Sequence, residues 1–111
     1  VEGNEMFVGE DRRIMMPLLK MIGENKTINF KMTLQDNAVL LVEVDACYET
    51  DNGIEMNEDG YEEFMACAVM ILEVVFQEED AEKKYSEGEF LEITYHNYPK
   101  KIEEVNKLDN M

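Results

Sequence analysis

Between Lys31 and Lys83 the chain has no lysine, arginine or histidine for 51 residues, and that stretch holds fifteen of its 26 acids. The other sixty residues carry eleven acids against ten bases, so nearly all of the net charge of −16 belongs to one continuous half of a 111-residue chain. A field of one sign repels nucleic acid and anionic membrane and attracts a basic surface. Other absences narrow the function further. There is one serine, Ser86, in a Gly-flanked acidic loop, and one histidine, His96. Neither lies in a nucleophile-elbow sequence, so serine or cysteine catalysis is not expected. The two cysteines, Cys47 and Cys67, form no CxxC pair, and no HxxxH spacing exists, which leaves zinc without its usual signature. No Gly-rich loop leads into Lys or Ser/Thr, so no phosphate cradle is expected.

No run of 18 apolar residues is present, so no transmembrane helix is expected. Val1–Glu5 has no basic region followed by an apolar one, which reads as lacking a signal peptide, and the absent start Met suggests a processed or recombinant end from which an upstream segment could have been removed. Hydrophobic content of 45% is enough for a folded core and too high for a disordered acidic tail. The length fits a single domain, 1–111. Both cysteines lie in apolar-patterned segments and are expected to be reduced, buried and inert, in a cytoplasmic protein.

The periodicity predicts an α+β fold. Residues 10–22 place Ile14, Leu18 and Met21/Ile22 at helical spacing, with Pro17 as a kink or a new start and Gly23 as a stop. Residues 27–34 alternate strictly, Gln35-Asp36-Asn37 makes a turn, and 38–49 resume the alternation, which predicts a hairpin. A long helix is expected over 58–84, with Asn57 as N-cap, acids in its first turns and Lys83 and Lys84 at its end. Because only Glu73 is charged between Phe64 and Phe76, this helix would need cover on two sides. A homodimer is expected unless residues 10–22 supply that cover. A third strand is expected over 90–96, and Pro99 opens a short C-terminal helix with Ile102, Val105 and Leu108 on one stripe. Residues 4–8 offer an edge strand. The expected architecture is thus a small antiparallel sheet (27–34, 38–49, 90–96) against a long helix (58–84), with short helices at both ends.

Two acidic patterns suggest chemistry. Glu55 to Gly60 resembles the first half of an EF-hand loop, with oxygens at alternate positions and Gly at the sixth, but the twelfth position is Ala66 where a bidentate Glu is required. Carboxylate pairs such as Glu43/Asp45 and Glu58/Glu62 suit acid–base work only in an apolar pocket that separates their pKa values, and no such pocket is legible. No metal, cofactor or catalytic residue is therefore assigned. What remains is the acidic surface. Glu43, Asp45 and Glu49 are expected on the polar face of one strand, with Asp51, Glu55, Glu58, Asp59, Glu62 and Glu63 added by the following loop and helix start.

In charge and size alone, the chain resembles the small acidic nucleic-acid mimics, a class that includes phage-encoded inhibitors of restriction and CRISPR enzymes. That class shares no fold, so no residue carries over. The resemblance implies a non-catalytic module that docks on the basic, nucleic-acid-binding surface of another protein, without binding nucleic acid or membrane itself. Two alternatives are a self-associating structural or adaptor protein, for which nine methionines would suit adaptable packing, and a small metal-dependent enzyme using carboxylates.

Overall fold

A computed structural model of the chain describes residues 2–25 and 29–105, with side chains over 11–23 and 29–105. It contains one helix, α1 (Glu2–Asn25), and five strands: β1 (Asn29–Thr33), β2 (Val39–Asp51), β3 (Glu63–Phe76), β4 (Phe90–Ile93) and β5 (Lys101–Glu104). The strands form one antiparallel sheet in the order β4-β3-β2-β1-β5.

The expected β1–β2 hairpin is present. Phe30 and Met32 of β1 and Leu40, Val42 and Val44 of β2 are buried on one face, as their period of two requires. The connection turns at Asn37, which has a positive φ of 72°, and the Asp36 carboxylate accepts from the Ala38 amide at 3.1 Å. Residues 27 and 28 of the expected strand lie outside the described residues. Helix α1 lies over this buried face and seats Met15 and Leu18 against it, with Leu19, Met21 and Ile22 partly buried alongside. These positions recur three and four residues apart, on one side of a helix. The helix is longer than the sequence suggests. Pro17 sits inside it, Gly23 does not end it, and the 4–8 segment expected as an edge strand is helical.

The expected long helix over 58–84 is absent, and the fold is mainly sheet. Residues 63–76 form β3, and 77–89 form a loop. Periodicity does not separate a buried strand from a buried helix in a continuous apolar run. Here β-branched Val69, Ile71, Val74 and Val75, with an aromatic at either end, favour the strand. β3 is paired on both edges, and its less buried face carries apolar Ala68 and Met70 beside buried Val69 and Ile71, which is why its run lacks alternation. Glu58 and Asp59 lie in a turn ahead of Gly60, whose φ of 86° is incompatible with a helix continuing from Glu58. The reason given for a homodimer, a helix apolar around its circumference, disappears with that helix.

The C-terminal end also differs. β4 stops at Ile93, and the expected strand end at 94–96 is a turn held by the Asn97 side chain, which accepts from the Thr94 amide at 2.7 Å. After Pro99 the chain is strand β5, paired with the outer edge of β1 from Phe30↔Glu104 to Thr33↔Lys101. The free hydrogen-bonding edge of β1 outweighs the helical stripe, whose last member, Leu108, lies outside the described residues.

Candidate functional site

Strands β2 and β3 outrun their neighbours. Pairing of β2 with β1 begins at Asn29↔Glu43, and pairing of β3 with β4 ends at Cys67↔Ile93. The β2–β3 pair continues alone to Asp51↔Glu63. Beyond it, residues 52–62 form a connection in which positions 51–60 are all exposed. Asn52 organises that connection. Its side chain donates to the Gly60 carbonyl at 2.6 Å and accepts from the Ile54 and Glu62 amides at 3.3 and 3.4 Å, while its own amide donates to the Glu62 carbonyl at 3.1 Å.

All nine acids expected as partner-binding residues lie on this hairpin, in three different settings. Four are occupied. Glu49 pairs with Arg12 of α1 at 3.1 Å. Asp51 accepts from the Gly53 amide at 2.8 Å. Glu62 accepts from the Tyr95 hydroxyl and lies 3.1 Å from His96 Nε2. Glu63 accepts from the Tyr61 hydroxyl at 2.6 Å, and that bond pushes the Tyr61 pKa up to about 12. Among the described residues, the side chains of Glu55, Glu58 and Asp59, on the connection, make no hydrogen bond or ion pair, and the same holds for Glu43 and Asp45, on the strand.

Glu43, Asp45 and Glu49 do not share one strand face. The register shifts between Val44, opposite Val69, and Ala46, opposite Ala68, so Asp45 is an extra residue in a bulge. Before the bulge, Glu43 points away from the buried Val44. After it, Glu49 lies on the helix side, as its pairing with Arg12 requires. Two residues earlier, on the same side, Cys47 is disulfide-bonded to Cys67, with Cα atoms 4.1 Å apart. The expectation of reduced, inert cysteines is thus corrected: with Cys47 expected in a strand and Cys67 in the 58–84 helix, nothing set the two opposite one another, and it is strand β3 that brings Cys67 to Cys47. The pairing also removes the thiol argument for a cytoplasmic setting, since disulfides persist mainly in oxidising compartments.

The face of the sheet opposite α1 is the second element of the site, and the sequence reading missed it. Across it run rows of opposed residues: Phe90, Met70, Glu43 and Asn29 in one, and Glu73, Leu41, Lys31 and Glu103 in the next. Phe90 is 57% exposed, and Phe76, opposite Val39 at one end, is 50% exposed. At the other end the turn after β4 closes over the face. The Tyr95 and His96 rings meet Phe64 edge-on, at 6.1 and 5.1 Å between centroids, and Tyr48 donates to Glu92 at 2.6 Å. That bond raises the Tyr48 pKa above its ordinary value, with burial adding to it. The signal available in the sequence was Phe90 itself, an aromatic opening a strand whose next apolar positions, Leu91 and Ile93, alternate away from it.

Little here suits bond-breaking chemistry. His96 stacks beside Tyr95 and contacts Glu62, and both cysteines are tied up in the disulfide. No cluster of three or more metal-ligating side chains occurs among the described residues. Ala66, at the twelfth position of the EF-hand-like pattern, is fully buried in β3. In a cleft of about 270 Å³ between Leu34, Asp36, Lys83, Tyr85, Leu91 and Asn97, the Tyr85 hydroxyl donates to the Asp36 carboxylate at 2.9 Å. No helix among the described residues is long and apolar enough to cross a membrane.

Comparison with known proteins adds one finding. The family described as cognate immunity protein YxxD matches residues 14–108. No curated protein and no solved structure matches the chain.

Proposed function

We propose a mechanism from the premise that this chain belongs to the family of the cognate immunity protein YxxD, the match covering most of its length. An immunity protein is an inhibitor that works by binding its partner, a toxin. In our reading this one is not an enzyme, and the projecting β2–β3 hairpin lays its carboxylates on a basic surface of the toxin. Carboxylates then occupy positions where lysines and arginines would otherwise hold phosphates, and a nucleic-acid substrate is excluded.

One observation carries this reading. The 51 residues without a base fold largely into a single projecting hairpin, and five of its carboxylates, Glu43, Asp45, Glu55, Glu58 and Asp59, have no partner among the described residues. Carboxylates that neither pair nor cap are available to a cation from outside. The four occupied acids hold the hairpin in shape and so act as positioning residues.

The test is binding to the toxin whose growth arrest the chain relieves on co-expression. Affinity should fall steeply between about 0.05 and 0.5 M salt, because exposed charges are screened beyond roughly 10 Å at 0.1 M. The triple reversal Glu43→Lys, Asp45→Lys, Asp59→Lys should weaken binding by on the order of 100-fold at low salt while the melting temperature stays near wild type, exposed substitutions usually shifting stability by under about 0.5 kcal/mol. Nucleic acid already on the toxin should be displaced by the wild-type chain. Full binding by the triple variant would show the acids to be a solvation shell, and inhibition without displacement would rule out substrate mimicry.

A further inference from the structure

We infer that the uncovered sheet face forms the apolar half of the same interface, with Phe90 as its anchor, and that its occupant is the basic surface of the toxin rather than a second copy of this chain. This rests on the immunity reading above and adds a surface that the acids alone do not define. Helix α1 covers one face of the five-stranded sheet; on the other, no described element covers Phe90, Met70, Leu41 or Phe76. An exposed aromatic beside a methionine, rimmed by polar groups, has the composition of a binding hot spot.

The charges on this face select the occupant. Glu43 continues the Phe90–Met70 row, Glu92 follows Phe90 by two residues along β4, and Glu73 and Glu103 end the adjacent row. Against these four acids the described face offers Lys31 and Lys101, and Lys101 lies 3.9 Å from Glu103. A second copy would bring the same acids, on a chain of net charge −16, against them. Like charges juxtaposed across an interface are unfavourable, whereas a basic surface is complementary. An arginine suits the row best. Its aliphatic stem packs along Met70, its guanidinium lies over the Phe90 ring, and its charge reaches Glu43 or Glu92.

The test uses the full chain and the toxin identified by rescue from growth arrest. Phe90→Ala should weaken binding by about thirtyfold, the loss typical of an aromatic anchor, and by nearly the same factor at low and high salt. The acid reversal, in contrast, should lose its effect as salt rises. Met16→Ala, on the outer side of α1 and 50% exposed, should bind as wild type. Sedimentation should give the mass of one chain for wild type and Phe90→Ala alike. If Phe90→Ala binds as wild type while the acid reversal does not, the face is no part of the interface and the immunity reading stands. If neither variant loses affinity, both fail. A wild-type dimer that Phe90→Ala dissociates would assign the face to a second copy and overturn the inference.

Discussion

The two halves of the β2–β3 hairpin are held by different forces. In the proximal half, Val42 is opposite Ile71 under α1, with Leu40 and Val69 two residues along their own strands and β1 and β4 on either side, and all four are essentially inaccessible to water. In the distal half, residues 45–49 are exposed, and among the described residues no strand besides β3 flanks β2 there. Register is nonetheless kept to Asp51↔Glu63. The disulfide, the Asn52 network, the Arg12–Glu49 pair and the bond from the Met65 amide to the Asp11 carboxylate at 3.2 Å maintain it. The difference shows how a surface can be both acidic and rigid. Carboxylates resist burial, so where they concentrate, point-to-point bonds replace the hydrophobic effect.

The largest effect should come from the proximal half. Phe30 is fully buried between α1 and the sheet. Phe30→Ala should cost about 3–5 kcal/mol in urea unfolding, much of the total stability of a chain this size. Both halves should unfold together, because the distal hairpin has no core of its own. A cost under about 1 kcal/mol would mean that the apolar layer is not what holds the proximal half.

Next comes the disulfide, which closes a loop across a sequence separation of 20 that contains seven of the nine candidate acids. Removing such a cross-link should cost about 3 kcal/mol through the entropy of the unfolded chain. For a chain of this length that is a fall on the order of 10 °C in melting temperature. Reduction with a thiol, or the double variant Cys47→Ala, Cys67→Ala, should show it. Amide exchange should speed up over 46–51 and 63–66 more than over 39–44, if the two halves differ as described. Uniform acceleration would erase the distinction.

The same division explains what was legible beforehand. The β1–β2 hairpin could be read because its proximal positions alternate, and alternation is set by one buried face. The end of β2, all of β3 and the open face could not. β3 carries apolar residues on its less buried face as well, Ala68 and Met70 among them, so the run from Phe64 to Phe76 shows no period in sequence, and acids ahead of it mimic a helix start. The bulge at Asp45 moves Glu49 to the opposite face from Glu43 without any mark in composition. The acids themselves were legible as a set, whereas the split between partnered and unpartnered ones depends on the turn geometry that brings the Gly53 amide and Tyr61 to Asp51 and Glu63, and on Arg12, Tyr95 and His96, which are distant in sequence from Glu49 and Glu62.

The smallest effect separates the halves by pH. Tyr61, distal, and Tyr85, at the proximal end, both have their pKa pushed up to about 12, for different reasons. For Tyr61 the main cause is the bond to Glu63 on an exposed surface, and for Tyr85 it is burial, with the bond to Asp36 second. The Gln77 side chain also holds the Tyr85 backbone, accepting from its amide at 2.8 Å and donating to its carbonyl at 3.2 Å. A tyrosine whose folded pKa exceeds its unfolded value of about 10 leaves stability unchanged below pH 10. Between pH 10 and 12 the unfolded chain loses its proton while the folded one keeps it, so stability falls as pH rises. Tyr85→Phe should flatten that fall and, by losing the bond to Asp36, cost about 1 kcal/mol at neutral pH. Tyr61→Phe should flatten the fall less than Tyr85→Phe does, because solvent screens the bond to Glu63 at its exposed site. Urea unfolding at pH 8, 10 and 11.5 distinguishes them, and equal slopes for the two variants would mean that burial of Tyr85 does not couple its proton to the fold.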